Sequence, residues 1–364
     1  GYRPGLALSP FLLPEDSAAL RESPGLALKT RKGGALLINT PQGRCAVLDC
    51  TNPAAESWLR EAIGTIIKEW GYGQLRLDSL DAAVRPASEV AYTTAGTTGL
   101  ANLRRGLEII REAAGDGTLI LAGDCSFGPA IGLVDAMQVG PTTTTLWVDG
   151  LNPSARRASS IVLQRNWMNG RWWANDPGSL VAGDPLSEVE AQFLATTIAL
   201  SGGTVCGEAP DDYPAALIPP AGIAARAIDA GDGPVPSEWR VDLGEGRALV
   251  GILNWEEESR WVVVAEYLRP GEVAFDAWAG RILGKGDVLL RPHEGTLWQV
   301  AAPGQSPRVI GDTGHLNYDG LYQRQVSGRV QVRNDRKEAR TIGIEARGRL
   351  FEANLEPGEM QWFD

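Results

Sequence analysis

The chain has 364 residues, 43% hydrophobic and 22% charged, a folded globular composition that excludes a disordered or fibrous protein. A net charge of −11 gives no electrostatic footprint for wrapping nucleic acid or docking on an anionic membrane, so neutral or cationic partners are expected. The four cysteines (Cys45, Cys50, Cys125, Cys206) fall in no C-x-x-C pair and the two histidines (His293, His315) complete no usual zinc spacing with them, so no metal or other cofactor is expected.

The length predicts two compact units. Residues 1 to about 230 alternate short apolar runs with amphipathic helices, the pattern of parallel βα units. Candidate strands are 5–8, 46–48, 75–78, 119–122, 133–137, 172–174 and 204–206, most ending in a polar or Gly-rich turn. The clearest helix follows Asn52 as N-cap with Pro53 at its first position, and Trp58, Leu59, Ala62, Ile63, Ile66, Ile67 and Trp70 recur at helical spacing toward Gly71. A second helix is predicted over 100–114. Asp78, Asp124, Asp176 and Glu208 all stand at strand C-terminal ends, where a β/α barrel builds its active site. From about 240 the pattern becomes that of antiparallel strands, and the Gly- and Pro-containing stretch 230–237 reads as a linker. The expected units are therefore 1–232 and 233–364. No apolar run reaches the roughly 20 residues of a membrane span. The start, Gly1-Tyr2-Arg3-Pro4, carries no charged leader before an apolar run, and with the unpatterned cysteines this predicts a soluble, cytoplasmic protein.

Several stretches, in order, resemble the α-galactosidases of glycoside hydrolase family 36 and the related family 27. They are Gly5-Leu6-Ala7-Leu8-Ser9-Pro10-Phe11, Leu48-Asp49-Cys50-Thr51-Asn52-Pro53, Leu75-Arg76-Leu77-Asp78, Gly128 through Met137, and Arg171-Trp172-Trp173-Ala174-Asn175-Asp176-Pro177. Leu253-Asn254-Trp255, Asp276 to Gly280 and Leu290-Arg291-Pro292-His293 are similar to landmarks of that family's C-terminal domain. The resemblance implies a (β/α)8 TIM-type barrel, with strands 3 to 8 in this chain, followed by a C-terminal antiparallel β domain. A barrel lacking its first two strands would expose unpaired edges, so it further implies a companion chain, self-association or an N-terminal part outside this sequence that completes the barrel, the alternative being that the chain's own opening and tail patch the gap.

The chemistry so implied is retaining hydrolysis of an α-galactoside or related sugar, in which one carboxylate attacks the anomeric carbon and a second protonates the leaving oxygen. Asp78 falls at the nucleophile position. Arg76, where the family has Lys, shares its strand face and would bind substrate, as would Trp172, Trp173, Asp176 and Glu208. The family's R-x-x-x-D after the Met reads here Gln138-Val139-Gly140-Pro141-Thr142, so Thr142 replaces the usual acid/base, and threonine supplies no useful general acid. Asp124 is the substitute candidate. The alternative is a catalytically inactive carbohydrate-binding or scaffold homologue of the same fold. A serine hydrolase and a nucleotide-binding protein are disfavoured, because G-x-S-x-G, a G-x-G-x-x-G after a strand and a P-loop are all absent.

Overall fold

A computed structural model describes residues 3–41, 43–141, 144–148, 150, 153–204, 224–229, 235–284, 286–316 and 318–364. The chain divides into two compact units, residues 1–138 with 172–174, and residues 139–171 with 175–364. The domain boundary expected near 232 lies in a stretch outside the described residues.

The first unit is built on parallel strands. Strands β1 (Gly5–Leu8), β2 (Gln74–Leu77), β3 (Leu119–Ala122) and β4 (Ala136–Gln138) lie side by side in that order, and β5 (Ala174–Asp176), of which Ala174 belongs to this unit, follows, with the Ala174 N–H donating to Asp135 O at 2.8 Å. The register aligns Ala7 with Arg76, Arg76 with Leu121, and Leu121 with Ala136. Leu75 and Leu77, on the opposite face of β2, are fully buried, whereas Arg76 between them is part-exposed. Among the described residues β1 is the edge of this sheet.

Helix α1 (Pro53–Gly64) starts as expected: Asn52 Oδ1 accepts from the Ala54 N–H at 2.9 Å and Pro53 takes the first position. Its continuation differs, since residues Thr65–Glu69 form a π-helical turn before Gly71 at φ +78°. Helix α2 (Gly99–Ala114) is capped by Thr98 and buries Leu103, Leu107 and Ile110 on one face. Gly106 lets α2 approach closely, because a Cβ there would sit 2.4 Å from the Phe11 ring and 2.8 Å from Cys50 Sγ.

Three strand expectations are corrected. The run around 46–48 forms Gly43–Val47, which pairs antiparallel with Leu12–Pro14 and Leu37–Thr40 and is no part of the parallel sheet. Leu37–Thr40 and Gly43–Val47 pair from Ala46 to Gly43, so their apolar content reflects burial on one small sheet. The strand expected at 172–174 begins only at Ala174, and the one expected from 133 begins at Ala136. The candidate at 204–206 reaches outside the described residues.

In the second unit, helices α3 (Ala155–Gln164) and α4 (Glu188–Ser201) share one hydrophobic core with antiparallel strands. Strands β6 (Glu238–Gly244), β7 (Arg247–Leu253), β8 (Val273–Asp276), β9 (Arg281–Leu283) and β10 (Gly295–Ala301) make a sheet in the order β6-β7-β10-β8-β9, with Arg226–Ala227 outside β6. A reciprocal Ser187–Glu190 capping box starts α4, and the helix is buried nearly all round, Phe193, Leu194, Ile198 and Leu200 packing with Leu249, Leu253 and Leu297. Arg260–Val263 and Asp287–Leu290 pair as a separate antiparallel ribbon, and two three-stranded antiparallel sheets follow. One has the order β11 (Arg308–Asp312), β14 (Arg340–Ala346), β15 (Arg349–Leu355); the other has β12 (Leu321–Val326), β13 (Arg329–Asn334), β16 (Met360–Phe363). The expected antiparallel character from residue 240 onward is thus observed. No helix among the described residues is long and apolar enough to cross a membrane.

Candidate functional site at the ends of the parallel strands

Continuing the sheet register by one residue places Ser9, Asp78, Gly123 and Gln138 in a row across β1 to β4, at the C-terminal ends of the strands. The backbone supports this row: Asp78 N–H donates to Leu8 O at 2.9 Å and Gly123 N–H to Leu77 O at 2.7 Å. Because side chains on a strand alternate, Arg76 lies one layer below Asp78 on the same face.

Arg76 holds the row together. Its Nε donates to Asp78 Oδ1 at 3.1 Å and Oδ2 at 3.4 Å, and its Nη2 donates to Gln138 Oε1 at 2.9 Å. A guanidinium can do this because its donors diverge in one rigid plane. Both charged partners stay partly open to solvent, Arg76 at 38% and Asp78 at 35% side-chain exposure, so a ligand can reach the carboxylate. Gln138 spends its carbonyl oxygen on Arg76, which leaves its amide NH2 group as a donor pointed away from the guanidinium.

Gly123 supplies the space. A Cβ at this position would stand 2.8 Å from Asp78 Oδ1 and 3.2 Å from Gln138 Oε1. Gly123→Ala is therefore expected to push Asp78 off Arg76 and to lower any activity that runs through this carboxylate by about 10²-fold, the scale of a one-ångström misplacement. An activity untouched by Gly123→Ala would show that it does not run through this row.

The residues that follow the row are strained. Ser79, next to Asp78, has φ +58° and Asp124, next to Gly123, has φ +46°, both in the left-handed region that non-glycine residues seldom adopt. Their turns are tied together, since Asp81 N–H donates to Asp124 O at 2.8 Å and Asp81 Oδ1 accepts from Ser126 N–H at 2.7 Å. The Asp124 side chain itself is exposed.

The aromatic candidates separate by burial. Trp173 is 4% exposed, edge-on to Phe127 at 5.4 Å, while its neighbour Trp172, 5.5 Å away, is 36% exposed. Asp176, in the second unit, is buried, and its Oδ1 accepts from the Gly178 N–H at 2.9 Å across the turn made by Pro177. Glu208 and Thr142 lie outside the described residues. Asp135 is structural, as its position in an apolar segment implies: it accepts from Arg111 Nη2 and the Ile120 N–H at the opposite end of the sheet. Asp49 is likewise spent on structure, taking four hydrogen bonds from the backbone and hydroxyls of Thr51 and Thr93. Cys45, Cys50 and Cys125 are free thiols, burial pushing Cys50 up and Cys125 up to about 12, and no group of metal-ligating side chains forms among the described residues.

No protein-family model matches the sequence. Solved structures do. The chain is similar to a GH27 β-L-arabinopyranosidase from Geobacillus stearothermophilus in complex with arabinose, with 13% identity over 83% of this chain and 75% of that one and a TM-score of 0.56. It is similar to the isomalto-dextranase of Arthrobacter globiformis T6 complexed with panose, with 14% identity over 98% of this chain and 78% of that one and a TM-score of 0.54. The likeness fixes the fold. Both neighbours are TIM-barrel enzymes with a C-terminal β domain, and the described residues of this chain hold one five-stranded sheet and, after it, antiparallel sheets. An α-galactosidase from Thermus thermophilus in complex with stachyose also matches, with 24% identity over 57% of this chain and a TM-score of 0.49, and this chain spans 46% of that enzyme's length.

Proposed function

We propose that the chain is an α-galactosidase-like glycoside hydrolase of the retaining type, with Asp78 as the nucleophile. The observation that carries this reading is a part-exposed carboxylate at the C-terminal end of a parallel strand, oriented by an arginine two residues earlier and given room by Gly123. Asp78 attacks the anomeric carbon and forms a glycosyl ester; water then cleaves that ester and regenerates the carboxylate. Arg76 keeps the carboxylate aimed, and the Gln138 amide is placed to donate to a sugar hydroxyl. Trp172 offers an open ring for the apolar face of a sugar. Asp124 is the candidate general acid in place of the family's Asp, at whose position Thr142 stands.

A site with a weak acid turns over activated leaving groups best, because these depart with little protonation. Incubation with a fluorinated α-galactosyl fluoride, followed by intact mass spectrometry and peptide mapping, tests the nucleophile independently of the acid. A stoichiometric adduct on Asp78 is the expected result. An unlabelled chain would sink the reading in favour of the non-catalytic carbohydrate-binding or scaffold homologue.

A further inference from the structure

The sheet β12-β13-β16 in the second unit buries one face and presents the other. Leu321, Val330, Val332 and Phe363 point into a core with Ile342, Ile344 and Leu355. The pairing then fixes the outward face as three rows: Tyr322–Arg333–Met360, Arg324–Gln331–Trp362, and Val326–Arg329–Asp364. Tyr322 is 40% exposed and Trp362 42%, high values for aromatic rings on a sheet of a folded domain. Each ring is steadied on one side by an arginine, Arg333 Cζ lying 5.1 Å from the Tyr322 centroid and Arg329 Cζ 5.4 Å from that of Trp362. Arg329 pairs with Asp364 and Arg333 with Asp335, whereas exposed Arg324, beside Gln331 and Trp362, has no acidic partner among the described residues.

We propose that this face is a binding site for an acidic polysaccharide, a chain of sugar rings that carry carboxylates. Rings on strands two apart and two residues along are about 12 Å from each other, a span that needs more than one sugar to bridge. Aromatic faces take the C–H faces of sugars, Gln331 takes hydroxyls, and the arginines take carboxylates with two parallel hydrogen bonds. Charge complementarity selects the occupant. Arg329 and Arg333 are matched by Asp364 and Asp335, so the excess positive charge of this face sits on Arg324, between the two exposed rings, where a sugar carboxylate is taken. A second copy of the chain meeting the same face would set arginine against arginine. Single-stranded nucleic acid uses a similar set of side chains, but the exposed rings lie apart on two strands with an arginine beside each, and oligothymidylate is the arm of the test that would reveal it. The assignment holds whether or not Asp78 attacks a glycoside.

Affinity electrophoresis of the full chain through gels cast with polygalacturonate, with neutral galactomannan, or with oligothymidylate tests the assignment. Polygalacturonate is expected to retard the chain most, less so at raised salt. Trp362→Ala and Arg324→Gln are each expected to weaken this binding about tenfold while leaving the thermal unfolding midpoint in place, since both side chains are exposed. No retardation by polygalacturonate, unchanged retardation in the double variant, or stronger retardation by galactomannan or oligothymidylate would each overturn it.

Discussion

Asp78→Asn is expected to lower the turnover of an aryl α-galactoside by about 10⁴-fold or more, the scale seen when the nucleophile of a covalent mechanism is removed. The substitution is nearly isosteric. An asparagine oxygen can still accept from Arg76 Nε, so the row that runs through Gly123 to Gln138 should keep its geometry. What is lost is the charge and lone-pair reactivity needed to form the glycosyl ester. A matching loss of labelling by the galactosyl fluoride, with sugar binding retained in calorimetry, would separate this role from one in binding alone. Residual turnover within about tenfold of the parent would remove Asp78 from the mechanism.

The largest expected effect on stability lies in the second unit. Arg340 Nη1 donates to Asp312 Oδ2 at 2.8 Å, with the two side chains 1% and 0% exposed. Asp312 also accepts from the Gly314 N–H at 2.7 Å, and both Nη atoms of Arg340 reach Asp319 O at 3.3 Å. Burial nevertheless wins on both sides, pushing the Asp312 carboxyl up to about 6 and the Arg340 guanidinium down. Such a pair is costly to break, because the survivor becomes a buried charge without a counter-ion. Arg340→Met should therefore cost about 3–5 kcal/mol, read as a lower denaturation midpoint, and an added Asp312→Leu should return much of it.

The pH dependence has a definite sign. A carboxyl whose folded pKa is raised from 3.8 to about 6 binds its proton more tightly in the folded state. Its contribution to stability is complete below about pH 4 and disappears as pH rises through 6. Without Arg340 the carboxyl moves further up, so the deficit of Arg340→Met should be larger at pH 8 than at pH 5. A deficit independent of pH would mean that Asp312 does not titrate in this range.

Local signals made parts of this fold legible. Asn52 and Pro53 mark the start of α1 because a cap and a preset φ act on adjacent residues, and the alternation in Arg329–Asn334 reflects a strand with one buried face. The Gly43–Val47 strand misled, since a short apolar run looks the same on a parallel or an antiparallel sheet. Asp78 and Arg76 were legible together, two residues apart on one strand. Gln138 read only as the loss of a family arginine, and nothing local showed it bonded to Arg76, 62 residues earlier in the chain. Gly123 was likewise silent, because its importance rests on the register of three strands from separate parts of the chain.

Placing the carboxylate and its arginine on one strand has a consequence for how such a site ages. The spacing of Arg76 and Asp78 is set by the hydrogen-bond ladder of β2, with β1 on one side and β3 on the other, and not by any loop. Loops can lengthen, shorten or change partner without moving the two groups relative to each other. On the proposed reading, drift in the surroundings should then alter which sugar is accepted, and how readily its leaving group departs, long before it disarms the carboxylate.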